Sequence, residues 1–409
     1  MIGNVLVGQS GGPTAVINSS LAGVYKTAKD QGAVKVYGML YGIQGLLEEK
    51  YLDLDEHIHS DLEIELLKRT PSSYLGSCRY KLPDFKEDSE TYEKIFNILN
   101  ELDIQYFFYI GGNDSMDTIK KLSDYAHTIR SNIHFIGVPK TIDNDLEITD
   151  HTPGYGSAAK FIAATTKEII RDSLVYDQKN VTIIEIMGRN VGWLTGAAAL
   201  AGGMDCKGPD LLYLPEMDFN LDEFIKKVEE LQKTKKALVI AVSEGIRLSD
   251  GTYVCELVDN VKFTDQFGHS LLSGSGKYLS NKVSTELGCK SRGIELNTLQ
   301  RCASHMASLI DITEAYQVGA AAVNAALDGK TGEMIVINRI SNQPYQCNTG
   351  TYDIHKIANI EKKVPLNWIK EDNTGMSEEF MDYVKPLIQE ELTPIMIGGL
   401  PSHINYNKF

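Results

Sequence analysis

Ile104-Gln105-Tyr106-Phe107-Phe108-Tyr109-Ile110 runs into Gly111-Gly112-Asn113-Asp114-Ser115, and a later apolar segment closes on Pro139-Lys140-Thr141-Ile142-Asp143-Asn144-Asp145. Both apolar runs predict buried strands. The first stops at two glycines and restarts with helical spacing over 116–125, which leaves unpaired amide N–H groups at the carboxyl edge of a sheet. Doubly wound α/β folds bind anions at that edge. The residues that follow each strand are therefore the first place to look for chemistry.

The same grammar recurs along the chain. Val5-Leu6-Val7 predicts a strand that ends in Gly8-Gln9-Ser10-Gly11-Gly12-Pro13-Thr14, with helical spacing over 15–28. Proline opening a helix costs little, because its missing N–H had no partner there. Glycine at 11 and 12 suits either a tight strand-to-helix turn or close approach of backbone to a ligand. Further strands are expected at 34–39, 181–186, 237–242 and 333–337, and helices at 194–203, 277–287 and 313–328. Thr152-Pro153-Gly154-Tyr155-Gly156-Ser157 opens another helix, to about 174. A charged helix near 357–363 and an acidic surface helix over 370–395 complete the expectation, with 396–401 unassigned. No internal repeat or low-complexity linker interrupts this order. A βαβα rhythm predicts an α/β fold with mainly parallel sheets covered on both faces.

Composition narrows the function classes. With 409 residues, 43% hydrophobic and 23% charged, the chain is an ordinary globular protein of one large or two intimate domains. A formal net charge of −15 argues against a surface for nucleic acid or anionic lipid. A phosphorylated substrate must then be held by a local cationic cluster. The six cysteines have neither CxxC spacing nor the density of a disulfide scaffold, so reduced thiols in a cytoplasmic setting are expected. The opening Met1-Ile2-Gly3-Asn4 carries no basic leader, and nowhere do about 18 apolar residues run together. No membrane span is expected.

Several polar residues occupy strand ends. Asp143 and Asp145 share one loop, where one carboxylate can face a reacting hydroxyl and the other a metal or its water shell. An Asp-Asn-Asp triplet alone is ordinary turn chemistry; its place after a strand, beside Lys140, favours the functional reading. Arg79 lies in the polar loop Thr70-Pro71-Ser72-Ser73-Tyr74-Leu75-Gly76-Ser77-Cys78-Arg79-Tyr80-Lys81, whose composition suits phosphate oxygens as well as plain surface. Met187-Gly188-Arg189-Asn190 follows the strand at 181–186, and Ser243-Glu244-Gly245 the next one. Arg292 and Arg301 bracket a segment that, if extended, would span more than about 25 Å, so they are expected to serve different sites or subunits.

These stretches resemble, in order and spacing, the motifs of the phosphofructokinases: 8–18, 75–79, 111–115, 139–145, 187–192, 243–245 and 299–301. The resemblance runs from residue 3 to about 360. It points to the pyrophosphate-dependent branch, because Asp114 stands where ATP-using relatives carry glycine and Lys140 stands where they also tend to have glycine. A carboxylate at 114 fills and repels the space of a nucleotide's α-phosphate. An ammonium at 140 can hold pyrophosphate and offset charge on the leaving phosphate.

The resemblance implies two doubly wound α/β lobes with the active site in the cleft between them. The donor lobe would comprise 1–154 with a return segment near 301–357, and the fructose 6-phosphate lobe 155–300 with 358–409. It implies reversible phosphoryl transfer from pyrophosphate to the 1-hydroxyl of fructose 6-phosphate, with Mg2+ as cofactor. Asp143, Lys140, Thr141 and Arg189 would be catalytic. Gly11, Gly12, Arg79, Gly112, Asp114, Ser115 and Lys140 would bind the donor. Thr141, Asp143, Asp145, Met187, Gly188, Arg189, Glu244, Arg292 and Arg301 would hold the sugar phosphate, and Asn113 with Asp145 the metal. Arg292 would reach a neighbouring subunit, which implies a homodimer or homotetramer. An ATP-dependent enzyme, a catalytically weak regulatory subunit and a binding protein of the same topology are the alternatives. The chain departs from the family pattern at Asn113, in place of a metal-associated aspartate, at Asn180, in place of a cross-subunit arginine, and at Thr298, where histidine or tyrosine is common.

Overall fold

The apolar runs become strands. In chain order these are β1 (Asn4–Gln9), β2 (Val36–Met39), β3 (Tyr51–Asp53), β4 (Ile104–Gly111), β5 (His134–Pro139), β6 (Asn180–Ile186), β7 (Leu211–Tyr213), β8 (Ala237–Ser243), β9 (Lys290–Glu295), β10 (Glu333–Asn342), β11 (Tyr345–Asp353), β12 (Met396–Ile397) and β13 (Leu400–Pro401). The structure, a computed structural model, describes residues 3–257 and 272–405. It divides into two compact units. The first comprises Met1–Ser157, Arg301–Glu361 and Gln389–Phe409; the second comprises Ala158–Gln300 and Lys362–Ile388. Gln389 onward thus belongs to the first unit, where the sequence reading assigns all of 358–409 to the second.

The first unit is built on a seven-stranded sheet in the order β11-β10-β5-β4-β1-β2-β3. Its five central strands run parallel, and antiparallel β3 and β11 form the edges. Alternation explains why β1, β4 and β5 read as unbroken apolar runs. Val5, Val7, Phe108, Ile110, Ile136 and Val138 face one core with the helices Ile17–Asp30 and Leu309–Leu327. Leu6, Phe107, Tyr109 and Phe135 face another with Ser89–Glu101 and Asn113–Ile129. Both faces are covered, so the middle of each strand is apolar on both sides. The helices Ile17–Asp30 and Leu309–Leu327 meet backbone to backbone. A Cβ on Gly23 would lie 2.1 Å from the Tyr316 carbonyl oxygen, and one on Gly319 2.1 Å from that of Ser20.

The second unit carries a four-stranded parallel sheet, β7-β8-β6-β9. One core packs Ile183, Ile240, Val242, Leu279 and Phe224 beneath the helices Leu221–Leu231 and Ser275–Leu287. Trp193 anchors the return segment Lys362–Ile388: its ring stacks on Phe380, meets Trp368 edge-on, and its Nε1 donates to the Lys362 carbonyl at 2.9 Å.

Four expectations need correction. The 357–363 stretch is not helical, only a 3-10 turn at Ile354–Lys356 preceding it. The acidic 370–395 stretch contains just the helix Glu378–Val384 and a 3-10 turn Lys385–Ile388, because buried Phe380, Val384 and Leu387 are its inward-facing residues. The strand at 333–337 extends to Asn342 and pairs with β11, and 396–401 forms the small β12–β13 hairpin. Arg292 and Arg301 are not joined by extended chain: β9 ends at Glu295 and a helical turn, Leu299–Cys302, carries Arg301. Among the described residues no helix is long and apolar enough to cross a membrane.

Near the end of the first unit's interior lies a charged network. His151 is 1% exposed, with Nε2 2.6 Å from Glu314 Oε2 and Nδ1 2.8 Å from Asp150 Oδ2. Two carboxylate partners require both ring nitrogens to donate, which is the imidazolium form. Tyr345 and Cys347 donate to Glu314 Oε1, and Arg339 donates twice to Asp150 Oδ2. Burial alone would lower the imidazolium pKa; Glu314 and Asp150 outweigh it and raise it to about 9. A raised folded-state value means that this stabilisation is complete below the ordinary histidine pKa near 6.5 and is lost as pH climbs to about 9. Urea unfolding of wild type and His151→Gln should therefore show a stability gap that is widest below pH 6.5 and shrinks steadily towards pH 9. A gap independent of pH would mean that His151 is neutral in the fold.

Candidate functional site

In the first unit the expected residues converge at the carboxyl ends of β1, β4 and β5. Gln9 ends β1, and its side chain accepts from Leu75 N at 2.9 Å, while Asn18 Oδ1 accepts from Tyr74 N at 2.8 Å. These bonds fasten the Arg79 loop to the first strand and helix. Gly11 N donates to the Cys78 carbonyl and Ser77 Oγ to the Gly11 carbonyl at 2.6 Å, so Gly11, Gly12 and Arg79 share one short loop pair. Past β4, Gly112 caps the helix Asn113–Ile129, whose first turn holds Asn113, Asp114 and Ser115. Ser115 is tied to Ser10 through their hydroxyls at 2.5 Å, and Asp114 is exposed.

Lys140 is the centre of this group. Its side chain is 2% exposed, its Nζ donates to the Gly12 carbonyl at 2.7 Å, and a Cβ on Gly11 would lie 3.2 Å from that nitrogen. Burial pushes its pKa down to about 8; Asp143 and Asp145 oppose the shift, and Arg301 and Arg79 add to it. Five of the expected residues thus interact electrostatically. Arg301, expected on the sugar side, belongs to the first unit, with Nη1 3.6 Å from a Cβ position on Gly12.

The loop after β5 is ordered by its own side chains. Thr141 Oγ1 accepts from Asp143 N at 3.1 Å and donates to Asp143 Oδ2 at 3.3 Å, which aims the Asp143 carboxylate. Asp145 is half-buried, with its Oδ1 shut away from solvent. Burial, then Asp143 and Glu361, raise its pKa to about 7. Asp145 Oδ1 and both amide atoms of Asn113 are buried without hydrogen-bond partners. Such orphaned oxygens at adjacent strand ends fit a hydrated Mg2+ held partly by phosphate oxygens. No cluster of three or more His, Cys, Asp or Glu side chains suited to a metal occurs among the described residues, so an all-protein metal cage is absent there.

In the second unit, the loop after β6 carries Met187, Gly188 and Arg189. Met187 N donates to Gln300 Oε1 and Gly188 N to Glu244 Oε1, while Ser243 Oγ donates to the Gly188 carbonyl. Arg247 Nη2 donates to the Arg189 carbonyl and, at 2.6 Å, to Asn190 Oδ1; its guanidinium lies over the Tyr253 ring. Gly245 must lack a side chain, because a Cβ would come 2.0 Å from the Arg189 carbonyl oxygen. Glu216 Oε1 accepts from Gly192 N and closes the loop.

Arg292 is not with this group. It pairs with Thr182 in the body of β9, in a small recess with Asp172, Tyr176, Asn180 and Lys290. Asn180 spends its amide on the Ser173 and Gln178 carbonyls. Sequence reasoning missed Arg247, Glu216, Gln300 and Asp311. Only Gln300, beside Arg301, had a sequence signal.

Known proteins resemble this chain along nearly its whole length. A pyrophosphate--fructose 6-phosphate 1-phosphotransferase of Halomonas elongata is 41% identical over 402 residues, covering 97% of this chain and 94% of that protein. One from Xanthomonas campestris is 40% identical over 407 residues, covering 98% and 96%. The crystal structure of a pyrophosphate-dependent phosphofructokinase from Marinobacter aquaeolei superposes with a TM-score of 0.87 at 38% identity, covering 99% of this chain and 96% of that one. The family profile for phosphofructokinase matches residues 4–326. With a buried lysine at the end of β5, a glycine-capped helix after β4 and this extent of likeness, the chain belongs to the phosphofructokinase family.

Proposed function

We propose that this chain transfers a phosphoryl group reversibly from pyrophosphate to the 1-hydroxyl of fructose 6-phosphate, giving fructose 1,6-bisphosphate and phosphate. The observation that carries this reading is the buried Lys140 ammonium with Arg79 and Arg301 in electrostatic reach, in a chain with Asp114 at the first turn of the next helix. Three cations, two arginines gathered around one buried ammonium, suit a compact polyanion. The Asp114 carboxylate disfavours a donor that continues beyond two phosphoryl groups.

In this reading the first unit holds the donor through Gly11, Gly12, Arg79, Gly112, Asp114, Ser115 and Lys140. Met187, Gly188, Arg189 and Glu244 of the second unit hold the sugar phosphate. Asp143, aimed by the Thr141 hydroxyl, accepts the proton of the attacking hydroxyl. Lys140, Arg79, Arg189 and Arg301 neutralise charge on the transferring and leaving phosphates, as phosphoryl transfer by positioning and electrostatics requires. Asn113 and Asp145 would hold Mg2+ through its water shell, and the ion would supply charge for the phosphate oxygens. Arg292, set in the body of β9, serves a neighbouring copy in a homodimer or homotetramer. The setting is cytoplasmic.

Three outcomes test the reading. Purified protein with fructose 6-phosphate and Mg2+ should turn over with pyrophosphate and not with ATP; the reverse result overturns the donor assignment. Asp143→Ala should lower kcat by about 10²-fold or more, the range of lost general-base catalysis, with fructose 6-phosphate binding retained in calorimetry. The kcat/KM for pyrophosphate should fall as pH rises through about 8, because the free enzyme then loses the Lys140 proton. In Lys140→Met that alkaline limb should vanish along with most of the activity.

A further inference from the structure

The chain beyond Asp145 turns back so that residues 152–157 lie against the loop that carries Asp143. Thr141 N donates to the Pro153 carbonyl at 3.2 Å, Thr152 Oγ1 donates to the Thr141 carbonyl at 2.8 Å, and Thr152 N donates to Asn144 Oδ1 at 3.1 Å. A bridge between Thr141 and Gly154 completes the seam. Residues 152–154 have no regular structure of their own beyond that bridge. Their position must come from elsewhere.

Part of it comes from the His151 contact with Glu314 just before the segment, and part from a carboxylate on the same helix. Asp311 is 2% exposed; its Oδ1 accepts from Gly154 N and its Oδ2 from Ser157 N, each at 2.8 Å. Asp311 stands in the first turn of Leu309–Leu327, the helix locked against Ile17–Asp30 at Gly23 and Gly319. A rigid element therefore grips the far end of the turn that supports Thr141, at Gly154, together with the helix start that follows it, at Ser157, and Thr141 in turn aims Asp143.

Resting on the phosphotransferase reading above, we propose that Asp311 is a positioning residue for phosphoryl transfer, acting through Gly154, Ser157 and Thr152 on the Thr141–Asp143 pair. A plain structural role, satisfying the free amides at the start of the helix Tyr155–Ser173, would affect folding and leave the chemical step alone. The two roles separate experimentally. Asp311→Asn keeps the shape and one acceptor but turns an N–H towards the other amide. Thr152→Val removes the hydroxyl that reaches the Thr141 carbonyl and leaves Asp311 untouched.

Both full-length variants would be compared with wild type by steady-state kinetics, fructose 6-phosphate calorimetry and amide hydrogen exchange of peptides spanning 139–146. The expected result is kcat lowered about tenfold to 10²-fold, the scale of a misplacement of about 1 Å. Fructose 6-phosphate Kd should stay within about threefold, and exchange in 139–146 should speed up with the core unaffected. Unchanged exchange in 139–146, or unchanged kcat beside a lowered melting temperature, overturns the proposal. If Asp311→Asn does not fold, Thr152→Val alone decides by the same criteria. A wild-type protein inactive with every donor would refute the phosphotransferase reading, while the exchange comparison still decides whether Asp311 fixes the loop.

Discussion

A lysine ammonium buried to 2% exposure is the constraint around which the first unit is arranged. Desolvation disfavours the charged form, and the neighbouring arginines at 79 and 301 push in the same direction. Asp143, Asp145 and the Gly12 carbonyl hold the proton in place. Opposed charges packed this closely are costly unless each has its partner. A polyanionic donor relieves Lys140 and the arginines, and a cation relieves Asp145. In the proposed reaction the site is therefore least comfortable when empty, which favours binding of donor and metal together.

The fold was legible where burial is two-sided. Strands such as β4 and β5 show as apolar runs because opposite faces meet separate cores. The β11 strand escaped notice because Tyr345-Gln346-Cys347-Asn348-Thr349-Gly350-Thr351-Tyr352-Asp353 is a half-exposed edge strand with no apolar run. The acidic tail misled for the opposite reason: its negative charges suggest a continuous surface helix, but its buried apolar residues, Met376, Phe380, Val384 and Leu387, cluster in one short part of it.

Site residues were legible by address. Lys140, Asp143, Arg189 and Glu244 all follow strands, where the carboxyl edge offers free backbone groups. Their supports were not legible, since the value of Arg247 or Asp311 depends on a contact between segments distant in sequence. Arg247 shows this well: as one more cation after a strand it looks like solvated charge, yet it fixes the Arg189 carbonyl and Asn190. Arg301 shows the converse, a residue recognised by motif but placed beside Gly12 in the first unit.

An acidic protein that handles phosphate has to keep its carboxylates from repelling substrate, and this chain turns several of them inward as backbone anchors. Asp311 accepts from Gly154 N and Ser157 N, Glu185 from Gly274 N and Gly276 N, and Glu216 from Gly192 N and Val364 N. Each accepts from two backbone amides, Asp311 through its two oxygens and Glu216 through Oε1 alone. Burial raises the pKa of all three, against the opposing pull of the amides they accept from. A net charge of −15 thus coexists with a cluster of Lys140, Arg79 and Arg301, where the proposed reaction would place phosphate.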